Sequence, residues 1–418
     1  MNRTSLGAPL ALLLLAACGP TKDQLKEASW YCRERNWNAT QAIEACDRLL
    51  SVYQPLDKRA TYIAWRGIAY GREGRTAEGI AEITKALELE PGYTNARIER
   101  AKLEEKAGDL VAARADYDQA LKEGPWLVEA LVGRARVDME LGNEETAIAD
   151  LTAALQLRPE RSDAWLLRGS AHRRAGNNEA AAGDYGRTLE LRPDSANVYL
   201  ARASALFQLG DFAGAAADVD AALALDPNSA EAYNQRGRIA AARNDQTAAI
   251  AAFSQAIALD PGLAAAYRNR GLAQQAAGNQ EAAIADFTTA IERDPSFAAA
   301  YLSRADALAK MGDDQAALLD YGQAATLAPD NAVAFLGRGN TYVRLEQPAQ
   351  AIADFNTAIR LRPGYAPAYY GRGRAYTLAD ELTRARADFS EALVLDPSLE
   401  AAKRQLENVE RLQAKRTG

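Results

Sequence analysis

The small and apolar positions of this chain return in a single pattern of thirty-four residues, repeated ten times over residues 60–399 without insertion or deletion. Counted from Ala60, the eighth position is Gly or Ala in every unit, from Gly67 and Ala101 to Gly373, and the twentieth behaves alike, from Gly79 and Ala113 to Ala385. Side chains this small at two fixed points let the two helices of a hairpin approach closely. In most units the twenty-fourth position fills the space beside them with a ring: Tyr117, Tyr185, Phe253, Phe287, Tyr321, Phe355 and Phe389. Between the helices the fifteenth position is usually Gly, from Gly74 to Gly312, as a left-handed residue closing a helix requires, and Asn244 meets the same need. A proline ends each unit, from Pro91 to Pro397, because its ring cannot continue a helix interior. Each unit therefore reads as helix, turn, helix, in an array whose units complete one another's cores. Beyond Pro397, Leu399, Ala402, Leu406, Val409 and Leu412 recur at helical spacing among charged residues, which predicts a final helix over 400–418 covering the last unit's open face.

Small, Gly, aromatic, Ala and Pro at these offsets resemble the tetratricopeptide repeat. The resemblance implies an all-α fold, a right-handed superhelical α-solenoid of ten consecutive 34-residue helix-turn-helix repeats with an N-terminal helical hairpin and a C-terminal capping helix. Four residues depart from it. Arg97 replaces the second unit's aromatic and Thr188 the fourth unit's late Ala, while Glu346 and Asp380 replace the turn glycine. They predict a softer second unit and altered turns late in the array.

Residues 1–17 carry one basic residue, Arg3, then an apolar run over 6–15 and small residues before Cys18, which reads as a secretory signal too short to span a membrane. Leu15-Ala16-Ala17-Cys18 resembles a bacterial lipobox, whose Cys is acylated; the alternative is an ordinary signal peptide with an incidental cysteine. By analogy with lipoprotein sorting, Gly19 points to the outer membrane, with the array facing the periplasm. Residues 18–59 then read as a short tether, a less regular helical hairpin opened by the capping pair Thr21 and Gln24, and a linker containing Pro55. Cys32 and Cys46 lie at similar distances on either side of the turn near Asn38. They are candidates for a disulfide in an oxidising periplasm, the alternative being two buried free thiols.

A net charge of −7 argues against nucleic acid as a partner. With three cysteines and one histidine, neither zinc-ligand spacing nor a nucleophile constellation is apparent, so no metal, no cofactor and no catalysis are expected. His172 stands where other repeats place Tyr70, Tyr342 or Tyr376, which reads as a packing position.

The seventh position is Arg in all ten units: Arg66, Arg100, Arg134, Arg168, Arg202, Arg236, Arg270, Arg304, Arg338 and Arg372. Such a row invites reading as an anion track. The twenty-third position, however, is acidic in nine units, with Ala252 the exception, and lies nearly level with the seventh on the antiparallel helix. A structural ladder of Arg–carboxylate pairs is therefore expected, within a unit or between neighbours.

In tetratricopeptide repeat proteins the second, fifth, ninth, twelfth and thirteenth positions generally face the concave groove where partners lie. Carried onto this chain, the resemblance implies partner contacts at Ile98, Lys102, Val132, Arg136, Leu166, Arg174, Leu200, Phe207, Arg238, Leu302, Leu336, Arg344, Tyr370 and Arg374. Asn234 and Arg268 interrupt the apolar column at the fifth position. An apolar stripe bordered by basic groups suits an extended or helical polypeptide with acidic side chains; alternatively, the apolar residues seal the seams between repeats. No fifth position is Lys, which disfavours recognition of a free C-terminus. The expected function is a lipid-anchored periplasmic scaffold that binds protein or peptide partners and serves assembly of an envelope complex, such as a pore, a pilus, polysaccharide export or cell-wall machinery. The competing expectation is capture of an anionic envelope glycan by the basic groove.

Overall fold

The computed structural model describes residues 21–33, 38–52 and 54–417. The leader expected over 1–17 and the expected lipidation site, Cys18, lie outside the described residues. All regular structure among the described residues is helical, with 23 helices and no strand. It falls into two compact units, residues 1–209 and 210–418. The first holds the hairpin Lys22–Arg33 and Ala39–Leu50, then four helix pairs, from Leu56–Arg72 with Thr76–Leu89 to Ser162–Arg174 with Asn178–Leu191, and the helix Ala196–Gln208. The second opens with Phe212–Leu225, continues through five pairs, from Ala230–Ala242 with Gln246–Leu259 to Ala366–Leu378 with Leu382–Leu395, and ends on Glu400–Thr417. Within each unit every pair packs on the next, as in a solenoid.

The spacing of small and large residues explains the packing. Wherever the twenty-fourth position is Phe, the eighth is Gly: a Cβ added to Gly237 would stand 2.6 Å from Cδ1 of Phe253, and one on Gly271 2.6 Å from Cε1 of Phe287. Those rings are at most 1% exposed, and burying each stabilises its unit by roughly 2–3 kcal/mol.

The turns keep one geometry throughout. Gly108 and Gly312 close their helices at φ 83° and 85°, and Asn244, Glu346 and Asp380 adopt the same left-handed backbone at φ 62°, 55° and 64°. The turns expected to alter at Glu346 and Asp380 are therefore unchanged. The packed helices dictate the path, and the side chain bears a strain of about 1–2 kcal/mol relative to glycine.

The departures in the early repeats are accommodated locally. Arg97 donates from Nη2 to the Pro91 carbonyl at 2.6 Å, much as the Trp165 indole donates to Pro159 at 2.8 Å, and its Nη1 lies 3.6 Å from Asp116. Its Nε is buried without a partner, which marks where the second repeat bears a cost. Thr188 turns its hydroxyl onto the Asp184 carbonyl at 2.9 Å.

Both ends are closed. Thr21 and Gln24 cap the first helix reciprocally, at 2.8 and 3.3 Å. Cys32 and Cys46 form a disulfide, Cα atoms 5.0 Å apart, packed among Ala28, Ala45 and Leu49. At the other end Val409, with Leu406, covers Leu382 and Phe389.

Candidate functional site

The ten arginines sort by what their guanidinium groups touch. Arg100, Arg134, Arg168, Arg270, Arg304, Arg338 and Arg372 each grip the aspartate sixteen residues on through Nε and Nη2, at 2.7–2.8 Å. Arg66 makes the equivalent contact with Glu82 at 2.9 Å. These aspartates hydrogen-bond the charged form and so push the guanidinium pKa of Arg100, Arg134, Arg270, Arg304, Arg338 and Arg372 above its usual value. The remaining nitrogen, Nη1, turns to the twenty-fifth position of the preceding repeat: Thr84 at 3.0 Å, Asp118 at 2.7 Å, Thr152, Ser254 and Thr288 at 3.1 Å, Asn356 at 2.6 Å. Arg236, whose own acid is replaced by Ala252, pairs with Asp220 of the preceding repeat. Arg202 stands over the Tyr199 ring at 5.8 Å, and Arg270, Arg304 and Arg372 stack likewise on Tyr267, Tyr301 and Tyr369. An arginine so engaged is a clamp within and between repeats. The twenty-fifth position, rich in Thr, Ser, Asp and Asn, is the sequence signal that would have revealed the second contact.

The groove positions divide by exposure. Val132 and Leu200 are only 3% and 7% exposed, which corrects the expectation that they contact a partner; Val132 packs in the first unit's core with Ile98, Leu131 and Ala135. Ile98, 5% exposed, reaches only the floor of a cavity of about 660 Å³ that it forms with Lys102, Trp126, Leu157 and Arg161. Trp126, 65% exposed, follows the closing proline and was not anticipated. Leu166, Phe207, Arg238, Leu302, Leu336 and Tyr370 are half-buried, so each keeps an accessible surface.

Most basic positions meet acids from other offsets. Lys102 bonds Glu99 at 3.0 Å, Arg136 grips Glu105, Arg174 lies 3.6 Å from Glu144, and Arg344 pairs with Asp314. Arg374 stands 5.9 Å from the Tyr370 ring. These internal pairs reduce the field available to a polyanion.

In the second unit two of the expected positions, Leu336 and Arg344, line one cavity. Asp306, Lys310, Tyr321, Leu336, Asn340 and Arg344 line a cavity of about 520 Å³ between Ala298–Met311 and Ala332–Arg344. The Tyr321 hydroxyl donates to Asp306 at 2.5 Å, and burial pushes the phenol pKa well above its usual range. The cavity thus offers apolar surface at Leu336, an acid already hydrogen-bonded by Tyr321, and one exposed cation, Lys310.

Among the described residues no three His, Cys, Asp or Glu side chains are placed to hold a metal ion. His172 is half-buried with Nε2 4.0 Å from Asp184, and burial holds its pKa below that of an ordinary imidazole. Glu104, beside Asp116 and Arg100, is pushed up to about 7, first by burial and then by the Asp116 charge.

A family model for the tetratricopeptide repeat matches residues 66–125, 132–196, 200–264, 268–332 and 336–400. A curated relative, the tetratricopeptide repeat and J domain-containing co-chaperone DNJ1 of Fusarium oxysporum f. sp. lycopersici, is 42% identical over 65 residues, 16% of this chain and 11% of that protein. The chain therefore matches only a small part of that relative's length. Among solved structures, the APC/C hetero-tetramer Cut9–Hcn1 aligns with 93% of this chain and 99% of its own at 14% identity and a TM-score of 0.51, a likeness of fold alone. Yeast Tom70 aligns over 94% of this chain and 96% of its own, at 18% identity and a TM-score of 0.47. With its repeats matched over most of their length, the chain belongs to the tetratricopeptide repeat family, whose arrays serve as protein–protein interaction scaffolds.

Proposed function

We propose that this protein is a noncatalytic scaffold of the bacterial envelope, held at the outer membrane by acyl chains on Cys18, and that it gathers polypeptide partners in its grooves during assembly of an envelope complex. The observation that carries the binding part is the cavity of the second unit, where Leu336 supplies apolar surface and the exposed Lys310 a positive charge. Apolar area gives such a contact its affinity and charge its register. The lipid anchor is supported by Leu15-Ala16-Ala17-Cys18. Several acyl chains on one cysteine supply the stable attachment that one chain cannot. The Cys32–Cys46 disulfide suits an oxidising compartment such as the periplasm.

Capture of an anionic glycan is the weaker reading, because Lys102, Arg136, Arg174 and Arg344 already have acidic partners. Two measurements test the proposal. Metabolic labelling with an alkyne fatty acid should mark the wild type and leave Cys18→Ser unlabelled; an unlabelled wild type would remove the anchor. Crosslinking in intact cells should recover one defined set of proteins with the wild type and lose it with Leu336→Asp; equal recovery from both would remove the groove.

A further inference from the structure

We infer that the second unit's groove contains a receptor for a carboxylate side chain, centred on Arg268, so that the polypeptide bound there presents an Asp or Glu to this arginine. The inference rests on the groove reading above and narrows the chemistry of its partner.

Arg268 occupies the fifth position of Ala264–Ala276, where the next two repeats place Leu302 and Leu336. It is half-buried, and its Nε donates to the Ala299 carbonyl and the Ser303 hydroxyl, both at 3.1 Å, which fixes the guanidinium against Ala298–Met311. The Phe297 ring lies 5.9 Å from its central carbon. Among the described residues no carboxylate pairs with it, and loss of water alone pulls its pKa below the usual arginine value. Arg100, Arg134, Arg270, Arg304, Arg338 and Arg372, by contrast, sit on aspartates that push theirs up. Neither terminal nitrogen of Arg268 has a hydrogen-bond partner among the described residues, and neither is sealed from solvent.

A partly dehydrated cation without a counterion is a cost borne by the fold. A ligand carboxylate docking on the two terminal nitrogens removes that cost, and their planar fork matches its geometry. Asp306, the nearest acid further along Ala298–Met311, already accepts the Tyr321 hydroxyl and makes no ion pair with Arg268. Half-buried Leu302, on the same helix as the Ala299 and Ser303 that Arg268 touches, gives an aliphatic side chain a place beside the charge, and Leu336 continues that column in the next repeat, which favours a polypeptide over a sugar chain. Arg268 is not needed as a strut. The Ser303 hydroxyl already donates to the Ala299 carbonyl at 2.9 Å, so removing the arginine strands no donor there.

To test this, short displayed peptides are selected against the full chain. Affinities of the selected peptides are then measured for wild type, Arg268→Leu, Arg268→Lys and Leu336→Asp, alongside melting temperatures. The selected peptides should carry Asp or Glu beside aliphatic residues. Changing that acid to its amide, or Arg268 to Leu, should weaken binding about tenfold or more. Arg268→Lys should keep part of the affinity, and Arg268→Leu should melt no lower than wild type. Should the Leu variant fail to fold, the acid-to-amide swap in the peptide decides alone. Peptides that need Leu336 and ignore Arg268 would overturn the receptor and leave the groove standing; peptides indifferent to both variants would remove the groove itself. Binding of labelled polygalacturonate and of no peptide, lost with Arg268→Leu, would assign the arginine to an acidic glycan and overturn the polypeptide.

Discussion

At the scale of single residues, what surrounds a charge decides its worth. Arg304 holds Asp320, whose side chain is 8% exposed, whereas the Asp220 side chain paired with Arg236 is 67% exposed. Arg304→Met strands a buried carboxylate and should cost about 3 kcal/mol. Arg236→Met should cost less than about 1 kcal/mol. Urea unfolding of the two variants checks the contrast; equal losses would mean that the ladder's burial has no energetic consequence. Glu104 gives a pH signature of the opposite kind. Its native pKa of about 7 lies above the ordinary 4.5, so across that window the folded chain keeps a proton that the unfolded chain has lost. Stability of the first unit should therefore fall as pH rises through this window and level off above 7, because the unfolded state binds fewer protons there. Glu104→Gln should abolish the slope and raise the melting temperature at pH 8; an unchanged slope would place the titration elsewhere.

At the scale of elements, the eighth and twenty-fourth positions act as a matched pair. Ala is accepted at the eighth position beside Tyr117 and Tyr321, while each Phe faces a Gly. Gly237→Ala drives a Cβ into Phe253 and should cost about 1–3 kcal/mol, read from thermal unfolding. No loss would show that the hairpin yields. The grouping "Gly or Ala" was legible in the repeat; the pairing rule was not, because it depends on how deeply each ring reaches across the hairpin. The N-terminal hairpin has a different staple. Cysteines 14 apart in sequence close a loop worth about 3 kcal/mol, so Cys46→Ser should loosen Lys22–Arg33 and Ala39–Leu50. Nonreducing peptide mapping should recover the Cys32–Cys46 pair as one linked fragment; two alkylatable thiols would reject it.

At the scale of the molecule, stability within each unit is a sum over neighbours, because among the described residues each helix pair packs on the pairs beside it. In hydrogen exchange, Gly237→Ala should lower protection in Ala230–Ala242, Gln246–Leu259 and the adjacent pair, and leave Thr94–Ala107 unchanged. Uniform loss across both units would show a cooperativity that nearest-neighbour packing does not supply. The sequence alone determined the repeat, its hairpins, the turns that carry glycine and the ladder's acid at the twenty-third position. All of these are set by distances along one thirty-four-residue unit, which periodicity records directly. The tertiary structure decided which fifth-position residues stay open, with Val132 and Leu200 closed and Leu336 accessible. It also decided which cations are spent, with Arg344 on Asp314 and Arg268 on no carboxylate among the described residues. Those outcomes depend on the bulk and charge of the neighbouring repeat, which varies from unit to unit and leaves no mark at any fixed offset.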